Sequence, residues 1–303
     1  MPSWKELLAE TDLVGSAQDV VRRRYLAKLQ AHTGRNTILY YSAWLQKPGL
    51  ARQGMALHFT DADKNGFMAA LHGLDKSKGL DLILHTPGGD LAAMESLVDY
   101  LRSLYGKDIR AIVPQLAMSA GTMLALACKE IVMGKHSSLG PIDPQINGLP
   151  AHGILEEFKE AKKDILSNPN LVNLWGPILQ KYSPALIGEC DKAIKWAEEM
   201  AQRWLETGVF DRDPQAKQKA EKVVKELGDH SVTKSHSRHY EADKVAGLGL
   251  KVVKLEPDKT LQDLVLSVHH STIMTLGLPQ PFKIIENHLG VSHVSAVQLA
   301  RTG

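Results

Sequence analysis

LHTPGGD at residues 84–90, AMSAGT at residues 117–122 and SLGPIDP at residues 138–144 are the stretches that decide the fold of this chain. Each one follows a short apolar run and contains glycine or proline, so each marks a point where a strand gives way to a turn or helix. The first stretch offers backbone N–H groups in a glycine turn, the second a hydroxyl and the third a carboxylate. Together they place polar groups at the ends of neighbouring strands.

The apolar runs around these stretches predict a parallel sheet with helices between its strands. Residues 80–85, 109–113 and 131–133 are short and apolar, as buried strands are. Apolar residues recur at helical spacing over 91–104, and the small apolar segment 119–128 predicts a second, buried helix. This order implies right-handed crossovers, and sites in such sheets lie at the carboxyl ends of the strands.

Further out, the chain divides into five segments. Residues 36–44 (NTILYYSAW) are β-branched and aromatic, which predicts another buried strand. Residues 152–227 are helical and charged, and we expect them to cover the core or to mediate assembly. The predicted segments are an N-terminal helical segment at 1–35, the core at 36–150, the helical region at 151–228, a return to the core at 229–278 and a weakly patterned C-terminal tail at 279–303.

Two charged runs have ordinary interpretations. The three arginines at residues 22–24 favour a solvated helix face, with a contact in an oligomer or with an acidic partner as the functional alternative. Residues 61–66 (DADKNG) imitate the start of a calcium-binding EF-hand loop. The twelfth position of that loop should be a bidentate Glu, and here it is His72. We therefore interpret Asp61 as a helix N-cap.

Composition argues against several classes of protein. Thirty-six basic residues against 34 acidic ones leave a formal charge of +2, which gives no electrostatic reason to expect nucleic acid as a partner. Cys128 and Cys190 are too few for a disulfide framework, so we expect a reduced, cytoplasmic setting. The first ten residues lack the apolar core of a signal peptide, and the longest apolar window, 111–128, contains polar residues, so we expect no membrane span.

Ser119 is the candidate nucleophile. A serine hydroxyl attacks a carbonyl when a base takes its proton and when donors stabilise the resulting oxyanion. The start of a buried helix offers free N–H groups and the positive end of the helix dipole. A serine there is also an ordinary N-cap, and the G-x-S-x-G elbow of α/β-hydrolases is absent. Gly88 and Gly89 permit a close approach of backbone N–H groups to a ligand, or simply a tight turn.

A nucleophilic serine also needs a base and a residue that orients the base. Asp143 lies 24 residues after Ser119 and beyond the third predicted strand. His236 and His239 precede the last predicted core strand, so the fold can return them to the same edge of the sheet. The candidate histidines are His85, His136, His152, His230, His236 and His239.

These motifs resemble those of a known family. LILHTPGGD, AMSAGT and SSLGPIDPQ, in this order, are similar to the serine dehydrogenase proteinase family, a distant relative of the Clp protease proteolytic subunit and of signal peptide peptidase A. The resemblance covers residues 36–276. It implies an α/β protein with a ClpP/crotonase-type core of repeated ββα units and a parallel sheet, to which a helical region is added.

The resemblance also implies roles for individual residues. It implies Ser119 as the nucleophile, His236 as the base and Asp143 as the residue that orients the base, with His239 as the near alternative to His236. No cofactor and no metal ion is expected. The implied oxyanion hole comprises the turn of Gly88 and Gly89 and the amide of Ala120.

The implied activity is that of a cytoplasmic serine endopeptidase acting on peptides or unfolded protein. Proteins of this fold usually assemble, so the resemblance implies a homo-oligomer. The Clp subunit depends on an unfoldase partner, and the sequence gives no sign of one here. Nucleic acid and membrane are not expected as partners.

Three alternatives remain open. Signal peptide peptidase relatives use a Ser–Lys dyad, and Lys159, Lys162 and Lys163 follow Ser119 by about 40 residues, although their helix favours a solvated face. A crotonase-like enzyme would use the same pair of amides on acyl-CoA thioesters and would not require Ser119. A non-catalytic scaffold would keep the fold and use the charged helical region as its functional surface.

Overall fold

A seven-stranded sheet forms the centre of the molecule, in a computed structural model that describes residues 18–297. The strands are β1 (Asn36–Ser42), β2 (Leu80–His85), β3 (Ile109–Val113), β4 (Leu116–Ala117), β5 (Glu130–Met133), β6 (Ser138–Leu139), β7 (Gln145–Ile146), β8 (Leu149–Pro150), β9 (Tyr240–Glu241), β10 (Val252–Lys254), β11 (Pro281–Asn287) and β12 (Ser292–Ala296). The order in the main sheet is β10-β5-β3-β2-β1-β11-β12. The first five of these strands are parallel, and β11 and β12 are antiparallel to their neighbours.

Helices directly follow half of the strands given above. They are α1 (Gln18–Thr33), α2 (Gly49–Arg52), α3 (Asp61–Leu71), α4 (Leu91–Tyr105), α5 (Ala120–Leu126), α6 (Ala151–Ser167), α7 (Val172–Leu179), α8 (Leu186–Thr207), α9 (Ala216–Gly228), α10 (His230–Thr233), α11 (Ala242–Gly247) and α12 (Lys259–Leu276), with 3₁₀ turns at Lys76–Lys78 and Pro169–Leu171. Within residues 18–297, no helix combines the length and hydropathy needed to cross a membrane. The predicted N-terminal helical segment falls partly outside the described residues, since these begin at Gln18.

The central strands β1, β2 and β3 are buried between helices on both faces of the sheet, which explains why their sequences are largely apolar. Ile83 of β2 packs with Leu29 of α1 and Val265 of α12 on one face. The next residue, Leu84, points the other way, as successive strand residues do, and joins a core that includes Leu97 of α4. The predicted α/β class with a mainly parallel sheet is confirmed. Strands β3 and β4 with helix α5 form a ββα unit of the kind the resemblance implies.

A second, three-stranded sheet brings distant parts of the chain to the end of β2. Its order is β4-β6-β9, with β6 parallel to β4 and antiparallel to β9. An isolated bridge joins Thr86, just after β2, to Ala117 of β4. The stretches at residues 84–90, 117–122 and 138–144 therefore meet at one edge of the molecule. Strand β9, where the chain returns from the helical region, joins them there.

The C-terminal part of the chain is more ordered than its weak pattern suggests. The sequence pattern predicts a tail from residue 279 onward, whereas β11 and β12 belong to the main sheet. The pattern is hidden because β11 buries three polar side chains. Lys283 pairs with Asp63, Glu286 pairs with Arg22, and Asn287 donates to the Ala70 carbonyl.

The prediction of a solvated face for the arginine run is wrong for Arg22. This side chain is 0% exposed and donates to Glu286 of β11 at 2.6 Å and to Thr275 of α12 at 2.8 Å. Arg23 also donates to Glu286 at 2.6 Å. A buried carboxylate requires such partners, so Arg22 and Arg23 attach α1 to β11, and Arg22 also attaches it to α12.

The sequence predicts Asp61 as the N-cap of α3, but the N-cap in the structure is Thr60. Thr60 forms a capping box with Asp63, in which the Thr60 N–H donates to Asp63 Oδ2 at 2.9 Å. Asp63 is buried and its carboxylate also accepts from Lys283 Nζ at 2.7 Å. Asp63, one of the two acidic residues that imitate a calcium loop, therefore acts in helix capping and in a buried ion pair.

Candidate active site

Ser119 lies in a sharp turn between β4 and α5, with φ 50° and ψ −121°. A positive φ is costly for a residue with a side chain, so the surrounding structure must hold it. Gly88 (φ 101°) lies directly against this turn: a Cβ built on Gly88 would lie 2.7 Å from Ser119 Cβ and 2.8 Å from the Met118 carbonyl oxygen. Both its conformation and this contact require glycine at position 88.

The glycine turn leaves one N–H group free. The Gly88 N–H donates to Thr86 Oγ1 at 3.1 Å and is occupied. Phe59 bonds on both sides of Gly89, donating its N–H to the Gly88 carbonyl at 2.8 Å and accepting from the Asp90 N–H at 2.9 Å. The Gly89 N–H between these bonds has no acceptor in residues 18–297.

The Ala120 N–H is the second free donor beside Ser119. Ala120 is the first residue of α5, where a helix leaves its N–H groups unpaired, and no described residue accepts from it. Gly89 and Ala120 both line the cavity that contains Ser119. Two free amides next to a serine hydroxyl are suited to stabilising negative charge on a substrate oxygen.

Thr122, which the sequence analysis did not single out, ties this helix to the stretch at 138–144. It is buried, its Oγ1 lies 2.7 Å from the Ala117 carbonyl oxygen, and it accepts from the Gly140 N–H at 2.9 Å. The available signal was a single hydroxyl in an otherwise apolar helix. Because β4 precedes Ser119 and Gly140 precedes Asp143, this side chain fixes the relative position of the two.

Asp143 is a buried carboxylate with three polar partners. Its Oδ1 lies 2.8 Å from His236 Nδ1, and its Oδ2 lies 3.2 Å from His230 Nδ1. Gln145 Nε2 also donates to Oδ2 at 2.9 Å. The preceding residue, Ile142, donates its N–H to the Leu227 carbonyl at 2.8 Å, which holds this loop against the end of α9. These bonds compensate the carboxylate for its removal from water.

The antiparallel pairing of β6 with β9 explains why His236 reaches Asp143. Leu139 pairs with Tyr240, so the residue four positions after Leu139 and the residue four positions before Tyr240 lie at the same end of the ladder. These residues are Asp143 and His236. The bond to Nδ1 leaves Nε2 of His236 directed away from Asp143, the orientation a serine base needs.

Of the two remaining histidines in this loop, His230 contacts Asp143 and His239 does not. His239, the near alternative to His236, is exposed and forms no hydrogen bond or ion pair with Asp143. His230, one member of the candidate set, directly follows the N-cap Asp229 of α10 and does contact Asp143. The end of α9 places it, because Asp229 continues from that helix.

The other candidate histidines lie elsewhere. His85 is buried at the end of β2 beside Tyr41 and Trp44, and burial lowers its pKa to about 3. His136 follows β5, and His152 borders a different cavity. None of the three bonds to Asp143.

The lysines of the alternative Ser–Lys dyad are exposed on α6. Lys159, Lys162 and Lys163 border a separate surface hollow, and none of them lines the cavity that contains Ser119. A dyad lysine needs burial to act as a base, and these side chains lack it.

Ser119, Asp143, Gly89 and Ala120 line one cavity of about 290 Å³. Within residues 18–297, no hydrogen bond joins the Ser119 hydroxyl to His236. Catalytic hydrogen bonds are often long before a substrate binds. The structure thus brings the candidate serine, carboxylate and amides to one cavity and attaches His236 to the carboxylate.

The chain matches the family model described as ClpP-like SDH-type serine proteinase over residues 22–281. Two curated proteins of Methanocaldococcus jannaschii are similar. Uncharacterized protein MJ1495 is 32% identical over 207 residues, which cover 68% of this chain and 63% of that protein. Uncharacterized protein MJ0137 is 35% identical over 113 residues, 37% of this chain and 39% of that protein. The chain thus spans less than two thirds of the length of either relative, and no solved structure matches it significantly.

Proposed function

The chain belongs to the ClpP-like SDH-type serine proteinase family, and we propose that it is a serine endopeptidase that hydrolyses peptide bonds through Ser119, His236 and Asp143. Family membership supports serine peptidase chemistry at the level of the family. The roles given to individual residues are our proposal, and the geometry of the site supports them.

In the proposed reaction, Ser119 Oγ attacks the carbonyl carbon of the scissile bond while His236 Nε2 takes the hydroxyl proton. The carbonyl oxygen becomes an oxyanion that accepts the N–H groups of Gly89 and Ala120. The C–N bond then breaks, and His236 returns the proton to the leaving amine. Water, deprotonated by His236, attacks the acyl-enzyme and releases the carboxylic acid product and Ser119. Asp143 keeps the His236 ring oriented throughout.

The observation that carries this proposal is the 2.8 Å bond between Asp143 Oδ1 and His236 Nδ1 at a cavity that also contains Ser119. The two residues are 93 positions apart, and a surface loop gains little by burying a carboxylate to hold one histidine. The positive φ of Ser119 points the same way, since backbone strain concentrates at functional sites.

The alternatives have less support. A Ser–Lys dyad would need a buried lysine in the cavity that contains Ser119. A crotonase-like enzyme would use the two amides alone and would have no use for the bond between Asp143 and His236. A scaffold would need neither this bond nor the conformation of Ser119.

We also propose that the substrates are peptides or unfolded polypeptides and that the protein works as a homo-oligomer. A peptide segment in extended conformation can reach Ser119 through the open cavity, whereas a folded domain would have to yield a free strand first. Any unfoldase partner would act at that earlier step.

A fluorophosphonate probe tests the proposal, since it phosphonylates a serine whose proton a neighbouring base can remove. We expect an adduct on Ser119 by peptide mass mapping, its absence in Ser119→Ala, a strong decrease in His236→Ala and normal labelling in His239→Ala. An adduct that forms equally well in His236→Ala would refute the proposed base. No adduct in a folded wild-type sample would refute an activated serine.

A further inference from the structure

The glycine turn beside Ser119 is held at two successive peptide groups, and Thr86 holds the first. Thr86 is 1% exposed, and its Oγ1 accepts the Gly88 N–H at 3.1 Å. Phe59 holds the second, since its N–H donates to the Gly88 carbonyl at 2.8 Å. The N–H of Gly89 belongs to the same planar trans peptide as that carbonyl, so it points away from Phe59. The two bonds together fix the direction of the Gly89 N–H.

Thr86 also contacts the helix that offers the second amide. A Cβ built on Gly121, in the first turn of α5, would clash with the Thr86 methyl group. The backbone of Thr86 is bonded to the chain that leads into this helix, by its N–H to the Leu116 carbonyl at 3.1 Å and by its carbonyl to the Met118 N–H at 3.0 Å. Thr86 therefore touches both of the structures that supply the candidate oxyanion donors.

A buried ion pair lies behind Thr86. Asp63 Oδ2 accepts from Lys283 Nζ at 2.7 Å, and both side chains are 4% exposed. The buried Tyr40 hydroxyl donates to the same oxygen in a long bond of 3.5 Å. Burial raises the pKa of Tyr40 well above its usual range, the charge of Asp63 adds to this, and a hydrogen bond with the Thr86 hydroxyl lowers it. Tyr40 is therefore a neutral hydroxyl that connects the ion pair to Thr86.

Asp63 reaches the glycine turn by a second route. Its Oδ2 also accepts the Thr60 N–H at 2.9 Å. Thr60 directly follows Phe59, whose backbone bonds on both sides of Gly89. A buried ion pair adds little net stability compared with apolar packing of the same volume. Its place behind the turn therefore points to a role in holding one conformation.

We propose that Thr86 is a positioning residue for the oxyanion hole. Tyr40 and the Asp63–Lys283 pair hold it in place. The inference rests on the proposed peptidase function and adds residues that act through the Gly89 amide, since none of the four side chains lines the cavity of the nucleophile. Charge develops on the substrate oxygen only as its carbonyl is attacked, so a misdirected amide lowers kcat and leaves KM nearly unchanged.

Thr86→Val provides the test, because it removes the hydroxyl at nearly constant volume, and Thr86→Ser restores a hydroxyl. Thr37→Val is the matched control, since Thr37 is equally buried at the start of β1, where its hydroxyl donates to the Arg35 carbonyl at 3.2 Å. The measurements are kcat and KM for a peptide, denaturant unfolding, and inhibition by a peptidyl boronic acid. The boronic acid forms a tetrahedral adduct with an active serine and places an oxygen where the oxyanion would lie. Peptide binding to Ser119→Ala, with and without Thr86→Val, reports the ground state.

We expect Thr86→Val to lower kcat by about tenfold to a hundredfold, with KM within about twofold of wild type. Its affinity for the boronic acid should fall by a similar factor, while peptide binding to Ser119→Ala should not respond to Thr86→Val. Thr86→Ser and Thr37→Val should stay within about threefold of the wild-type kcat. Tyr40→Phe should lower kcat alone by a smaller factor, and it carries the same test if Thr86→Val does not fold.

Three results would overturn the positioning role and leave the peptidase proposal intact. The first is a wild-type kcat in Thr86→Val, or in Tyr40→Phe where that variant carries the test. The second is an equal loss in Thr37→Val, which would be a general effect on stability. The third is an equal loss in Thr86→Ser, which would assign the effect to packing of the methyl group.

Hydrogen exchange at the Gly88 amide separates the two proposals. In protein labelled with nitrogen-15 glycine, Thr86→Val should speed exchange at Gly88 and shift the Gly89 resonance, and Thr37→Val should do neither. If the wild type neither hydrolyses peptides nor binds the boronic acid, the peptidase proposal fails. The exchange result then still decides the other proposal: the expected response supports Thr86 as the residue that fixes the turn, and its absence overturns that role.

Discussion

Asp143 has two histidines within hydrogen-bond distance, and they meet different oxygens of its carboxylate. His236 meets Oδ1 at 2.8 Å, whereas His230 shares Oδ2 with Gln145. We propose that His236 transfers the proton and that His230 positions the carboxylate so that Oδ1 faces His236.

His236→Ala is therefore expected to lower kcat/KM for a peptide substrate by about 10⁴-fold or more, as loss of a triad histidine does. His230→Ala should cost about tenfold, because Gln145 still donates to Oδ2. Steady-state hydrolysis by the two variants, with His239→Ala as the control at an exposed loop histidine, makes the comparison. If His230→Ala were inactive while His236→Ala retained activity, the roles of the two would be reversed.

Thr122 joins the serine turn to the aspartate loop, so we propose that its hydroxyl supports activity as well as stability. Thr122→Val keeps the shape and leaves the Ala117 carbonyl and the Gly140 N–H without this partner, which costs about 1–3 kcal/mol in the free energy of unfolding. We expect kcat/KM to fall with it, because Ser119 and Asp143 lose their common support.

Thr272→Val is the matched control for Thr122→Val. Thr272 is equally buried, but its hydroxyl bonds only to the Val268 carbonyl of its own helix. Denaturant unfolding and peptide hydrolysis are measured for both. A Thr122→Val variant with wild-type kcat/KM would contradict the positioning role.

At the scale of elements, the end of β2 and helix α12 meet through buried imidazoles. His85 lies against Tyr41 and His269, neither of its ring nitrogens has a partner in residues 18–297, and burial lowers its pKa to about 3. Burial also lowers the pKa of His269, with the neighbouring histidines adding to the effect. Both rings are therefore neutral in the folded protein at neutral pH.

This contact makes the fold sensitive to acid. An unfolded His85 takes up a proton near its ordinary pKa of 6.5 and the folded one does not until about pH 3, so stability is lost progressively as pH falls through this window. At pH 5 the loss from His85 alone is about 2 kcal/mol. The measurement is the free energy of unfolding of wild type and His85→Phe at pH 7 and pH 5. The variant should gain about 2 kcal/mol relative to wild type on acidification, and an unchanged difference would contradict the account.

Sequence reasoning predicts an element well when its hydrophobic pattern reflects one cause, the burial of apolar side chains. The strands at 80–85 and 109–113 are apolar because both faces of the sheet are covered, and they appear at the expected residues. The sequence pattern did not predict strand β11, because Lys283 and Glu286 are buried with charged partners from α3 and α1. Hydrophobic periodicity cannot reveal a polar residue whose partner lies more than two hundred positions away.

The same limit applies to the candidate site. Ser119, Gly89 and Asp143 stand out locally, because glycine turns and helix starts have sequence signals. His230 and Thr122 carry no such signal, since their importance comes from the end of α9, which brings His230 to Asp143, and from the packing of α5 against the 138–144 stretch.

At the scale of the whole molecule, apolar side chains are exposed on the added helical region. Leu166, at the end of α6, is 75% exposed, and Val172 and Leu174 of α7 are 51% and 59% exposed. Apolar residues that cluster on a surface are typical of protein interfaces. We propose that this surface contributes to the contact between copies of the chain in a homo-oligomer.

The prediction is that the wild-type protein elutes as an oligomer and that Leu174→Asp shifts it towards the monomer, because a carboxylate in an apolar interface loses its hydration. Light scattering after size-exclusion chromatography gives the masses. Leu289→Asp is the control, since Leu289 is equally exposed (67%) in the turn between β11 and β12. Dissociation by Leu289→Asp alone would place the interface at the sheet edge instead.

We propose that Ser119 forms the acyl-enzyme in a site completed by the amides of Gly89 and Ala120 and by His236. A crystal structure of the wild-type protein inactivated with a peptidyl phosphonate would show this arrangement. We expect phosphorus bonded to Ser119 Oγ, its oxygen about 2.7–3.1 Å from both amide nitrogens, and His236 Nε2 within hydrogen-bond distance of the adduct. An adduct on another residue, or a phosphonate oxygen turned away from Gly89 and Ala120, would contradict it.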